Sequence, residues 1–71
     1  MTNVNKLPDY VASQINLALY TASCHEAAID SLLERGRISD ALYAERLAKQ
    51  AYRRAQMIEE AYWVKRAARE V

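Results

Sequence analysis

The stretch Leu32-Leu33-Glu34-Arg35-Gly36-Arg37-Ile38-Ser39-Asp40-Ala41 decides the fold, and it contains the only glycine of the 71-residue chain. A glycine here suits the position just past a helix C-terminus, where the backbone turns left-handed and a Cβ is penalised. Ser39 then reads as the N-cap of a second helix, with Asp40 in its first turn near the positive end of the helix dipole. Ile38 and Tyr43 fall at the N′ and N4 positions of a hydrophobic staple. A helix end, a turn and a helix start follow one another within a few residues.

Nothing interrupts a helix on either side of this turn. The only proline, Pro8, suits a first turn, where its missing N–H breaks no hydrogen bond. Asp9 beside it complements the helix dipole. The signals place helix one at about 8–35, a turn at about 36–39 and helix two at about 40–69. At about 1.5 Å per residue, each rod is roughly 40–45 Å long.

Apolar residues recur at alternating spacings of four and three along both segments. Val11, Ile15, Ala18, Ala22, His25, Ile29 and Leu32 form one stripe. Ala41, Ala44, Ala48, Ala51, Ala55, Ile58 and Tyr62 form the other. Folded about Gly36, they match in order, from Leu32 with Ala41 to Val11 with Tyr62. The expected fold is all-α: an antiparallel, coiled-coil-like two-helix hairpin with a small-sided seam, crossing at about +20°.

One seam does not use all the large apolar residues. Tyr10, Leu17, Tyr20 and Cys24 form a second line on helix one, extended by Ala28. Tyr43, Leu47, Met57, Ala61, Val64 and Ala68 form another on helix two, with Tyr52 and Trp63 further round. A two-helix hairpin covers one face of each helix only. The rest implies a four-helix bundle completed by dimerisation or by docking on a different helical protein. Leu17, Tyr20, Tyr52, Met57 and Trp63 are the candidate partner-binding residues, because aromatic and large apolar anchors dominate such interfaces.

Length and composition narrow the function. A single small domain of this size buries a limited core and usually needs a staple or a partner. One cysteine and one histidine allow no intramolecular disulfide and no ordinary zinc ligand set. The lone thiol fits a reducing cytoplasm. The N-terminal stretch lacks a basic start followed by an apolar run, so no signal peptide is expected. No apolar run approaches the ~20 residues of a membrane span.

Catalysis finds little support. Cys24, His25 and Glu26 are consecutive, so on a helix they point about 100° apart and do not converge. His25-Glu26 does not begin an HExxH metal motif, because Ile29 stands at the last position. One glycine permits no phosphate-cradling loop. No catalytic residue, cofactor site or metal site is assigned. His25 is read instead as a seam or partner-facing polar residue, and in the seam a polar group can fix register at a cost in stability.

Charge offers a second reading. Glu26, Asp30 and Glu34 form an acidic line on helix one, and Arg46, Lys49 and Arg53 a basic line on helix two, placed for cross-helix ion pairs. Arg53, Arg54, Lys65, Arg66 and Arg69 make helix two basic, and Tyr52 and Trp63 are available to stack on bases. Against this, Glu59 and Glu60 interrupt the basic run, and the net charge is only +1. Cations near a helix C-terminus also complement its dipole.

The first reading is therefore a non-enzymatic protein-interaction module, an adaptor, co-chaperone or inhibitor presenting an apolar helical face. The alternative is a small dimeric nucleic-acid-binding regulator. In outline the expected hairpin resembles small helical adaptors and co-chaperones, including partner-stabilising subunits of bacterial secretion systems, and single helix pairs of tetratricopeptide proteins. No motif carries that resemblance, and the helices are too long for one tetratricopeptide unit.

Overall fold

Pro8 and Gly36 bracket the first helix. The computed structural model describes residues 7–70, so the N-terminal stretch read for a signal peptide lies, up to residue 6, outside the described residues. Helix α1 runs Asp9–Glu34 and helix α2 runs Ile38–Glu70. They pack against each other as an antiparallel hairpin. Pro8 is the N-cap of α1 and not its first residue, so the helix starts one residue later than expected. Its carbonyl accepts hydrogen bonds from the Val11 and Ala12 N–H groups at 3.0 and 2.9 Å.

The turn is tighter than the sequence suggested. Gly36 has φ +74, the left-handed conformation expected of it. The Gly36 N–H donates to Leu33 O at 3.0 Å and the Arg37 N–H to Leu32 O at 2.9 Å. These two bonds form a Schellman motif and satisfy the last carbonyls of α1. The chain re-enters helix at once, because the Arg37 carbonyl already accepts the Ala41 N–H at 3.0 Å.

Arg37 therefore takes the N-cap place expected of Ser39, and Ser39 lies inside the first turn of α2. The hydrophobic staple does not form. The early start moves Ile38 into the helix, and both Ile38 and Tyr43 are exposed. Asp40 instead receives the Arg37 guanidinium at 2.5 Å.

The seam is where the stripes placed it. All fourteen seam positions are buried or half-buried, and none is exposed. The buried core is Val11 with seven alanines, Ala18, Ala22, Ala41, Ala44, Ala48, Ala51 and Ala55. His25 is half-buried in this row. Each alanine hides one methyl, worth about 0.8 kcal/mol, against about 1.5–3 kcal/mol for a buried Leu, Ile or Met.

The result is a rod. Its Cα radius of gyration is 16.3 Å and its extents are 54 × 22 × 17 Å. Compact packing of a chain this long would give a radius of about 11 Å. Alanine methyls and Val11 make up the buried interior, and among the described residues no large side chain is fully buried. No helix among those residues is long and apolar enough to cross a membrane.

Candidate functional site

The seam divides each helix surface into two flanks. On α1 the residue before each seam position, Tyr10, Gln14, Leu17, Thr21, Cys24 or Ala28, turns to one flank. The residue after, such as Leu19 or Glu26, turns to the other, about 200° away. The same rule on α2 puts Arg54, Met57 and Ala61 on the first flank and Tyr52, Glu59 and Trp63 on the second.

Three adjoining hollows lie on and beside the first flank, towards the open end of the hairpin. One groove runs between the helices, lined by Gln14, Leu17, Ala18, Thr21, Ala51, Arg54 and Ile58. A second hollow lies on α2, lined by Gln50, Arg53, Arg54, Met57, Ile58 and Ala61. The third is at the open end, between Tyr10, Val11, Gln14, Ile58, Ala61, Tyr62, Lys65, Arg66 and Arg69. Ile58 belongs to all three.

These hollows unite the two candidate sets only in part. All five basic candidates, Arg53, Arg54, Lys65, Arg66 and Arg69, line them, and among the described residues no Asp or Glu does. Of the apolar candidates, Leu17 and Met57 line them, 66% and 61% exposed. Tyr20 is exposed but lines none of the three.

Tyr52 and Trp63 lie on the second flank and have neighbours of their own. The Tyr52 hydroxyl donates to Glu26 Oε1 at 2.6 Å, joining the two helices. Glu26, by accepting that bond, raises the phenol's pKa above its usual value, and desolvation and the carboxylate's charge act in the same direction. The Trp63 ring stands edge-on to Tyr62 with centroids 5.0 Å apart. The Arg66 guanidinium lies 5.7 Å from the Trp63 centroid, and the indole N–H reaches Glu59 Oε2 at 3.4 Å.

The expected cross-helix ion pairs do not form. Among the described residues no ion pair links Glu26, Asp30 or Glu34 to Arg46, Lys49 or Arg53. For Arg46 and Arg53 the cause is rotational phase. Arg46 and Arg53 each sit two residues from a seam alanine on either side, which turns them about 200° from the seam. Together with Lys49 they line a shallow outer depression with Leu42, Glu45 and Gln50. Glu26 takes Tyr52 as its partner instead.

Ile58 and Tyr62 were read only as seam residues, and their part in the hollows was missed. Towards the open end the alanine row gives way to Ile58 and Tyr62, whose side chains outgrow the seam and reach its edges. The signal was available in that change of size. Cys24 is exposed beside half-buried His25. Among the described residues no group of three or more His, Cys, Asp or Glu side chains is placed to hold a metal ion. A scan against protein-family models, a search of curated proteins and a search of solved structures each found nothing that matches this chain.

Proposed function

We propose that the hairpin is a non-enzymatic protein-interaction module, an adaptor, co-chaperone or inhibitor, that offers an apolar helical surface to another chain. The partner, a second copy or a different helical protein, completes a four-helix bundle with it. One observation carries this reading. The interior is built from alanines, while Tyr10, Leu17, Tyr20, Tyr43, Met57 and Val64 are each more than half exposed. Large apolar side chains left outside a small-sided core mark a surface that another chain covers. A cytoplasmic setting suits the exposed Cys24 thiol.

Sedimentation of the purified chain at low and high salt, alone and with an amphipathic helical peptide, tests this. The reading expects either a mass above one chain or formation of a peptide complex, with apolar burial persisting at high salt. A folded monomer that takes no helical peptide contradicts it.

A second reading, a small dimeric nucleic-acid-binding regulator, draws on the five cations that line the hollows, with no carboxylate among the described lining residues. It expects oligonucleotide binding that weakens steeply with salt and is lost when Arg53, Arg54 and Arg66 are replaced.

A further inference from the structure

We infer that the occupant of the three joined hollows is an acidic amphipathic helix from another protein, with an apolar stripe flanked by carboxylates. The inference rests on the interaction-module reading and specifies its partner. The floor supplies the first argument. Leu17, Met57, Ile58 and Ala61 give a strip of hydrocarbon on which the apolar side of a helix can lie. Met57 adds an unbranched side chain that adapts to an incoming surface.

The rim supplies the second. Arg54 stands at one end of this strip, and Lys65 and Arg69 at the other. Among the described residues, every charged residue lining the hollows is a cation. All of these cations belong to α2, so a docked helix with acidic flanks would meet opposite charge at both ends of the strip on its α2 side, and a basic one would meet like charge.

The spacing of the cations argues against the nucleic-acid reading at this surface. Arg54 and Lys65 are separated by about 16 Å of helix. The strip between them carries Met57, Ile58 and Ala61. A nucleic-acid strand, with a phosphate about every 3.4 Å along a duplex, would lay several phosphates over hydrocarbon there. A helix with a continuous apolar stripe fits the same interval.

Self-pairing through the patch is opposed by symmetry. A two-fold dimer sets the same patch on itself. That would bring the cations of both copies, Arg54, Lys65 and Arg69, to one shared surface that no carboxylate lines among the described residues.

The test uses the full chain and labelled probes read by fluorescence anisotropy. The first probe is a synthetic peptide of about three heptads, leucine at a and d and glutamate at e and g, long enough to hold a helix once docked. The second has lysine at e and g. The third is a mixed-sequence oligonucleotide, single-stranded and duplex.

The glutamate peptide should bind at least about tenfold more tightly than the lysine peptide, a gap of about 1.4 kcal/mol. The double change Arg54→Glu with Lys65→Glu should reverse the preference, with circular dichroism confirming that the variant keeps its helices. Equal binding of the two peptides would overturn the inference and leave the interaction reading standing. So would an oligomer that Met57→Glu returns to monomer, since a second copy would then be the occupant. Displacement of the glutamate peptide by the oligonucleotide would replace the acidic helix with nucleic acid. If the chain is a folded monomer and neither peptide binds, the inference and the interaction reading both fail.

Discussion

The seam and the open-end patch are built from opposite materials. The buried part of the seam is Val11 and a row of seven alanines. The patch, a helix radius away, is a floor of Leu17, Met57 and Ile58 under a cationic rim. The contrast separates two tasks. Small side chains let two helices lie together, and their methyls give a thin interior. Leu17 and Met57 stand outside that interior and are mostly exposed, while Ile58 belongs to both seam and patch. If the patch is the recognition surface proposed above, stability and recognition rest on different residues, and substitutions should tell them apart.

The largest stability effect belongs to the seam. Ala22 is 0% exposed. Ala22→Leu forces extra methylenes between the helices and should cost about 1–3 kcal/mol, read by chemical denaturation. A neutral result would mean that the helices separate there at no cost and that the seam is not tightly packed.

Gly36→Ala comes next. A Cβ at Gly36 would meet nothing within 4 Å, so any cost comes from its φ of +74 alone. About 1–2 kcal/mol is expected, with Gly36→Asn costing less because asparagine tolerates the left-handed region better. Equal losses for the two would point to a clash instead.

The Arg37–Asp40 pair is exposed on both sides, so Asp40→Ala should change stability by about 0–1 kcal/mol and less at high salt. On the patch side, Met57→Ser should move stability by no more than about 0.5 kcal/mol, because the side chain is mostly exposed. A larger loss would show that Met57 supports the fold and would blur the division between seam and patch.

The smallest effect concerns Tyr52. Its folded pKa is raised because the neutral phenol donates to Glu26. The linked stability is therefore present below the unfolded tyrosine pKa of about 10 and is lost as pH rises through the higher folded value. An ultraviolet titration should show one late-ionising tyrosine, absent in Tyr52→Phe. If all tyrosines titrate together in both proteins, the bond to Glu26 does not persist in solution.

The backbone was largely legible in the sequence. A single glycine, a single proline and two unbroken stripes placed the turn and the seam, because helix periodicity and left-handed φ leave strong local marks. The start of α2 was misplaced. Ser39 has the chemistry of an N-cap, but the Schellman bonds at Gly36 deliver the chain into helix at Arg37, and that geometry outweighs side-chain preference. The ion pairs were misplaced because nearness along two helices was taken for nearness in space, while Arg46 and Arg53 turn away from the seam. The apolar candidates were chosen by size, which cannot say that Leu17 and Tyr52 occupy opposite flanks. Only the rotational phase of both helices about the alanine row separates them.

The central claim is that the patch recognises a partner independently of the fold beneath it. Binding of the glutamate-flanked helical peptide to Met57→Ser, with the variant's unfolding midpoint measured on the same sample, tests it most directly. The account predicts binding weakened at least about tenfold with the midpoint unchanged. Undiminished binding, or loss of binding together with loss of the folded state, would contradict it.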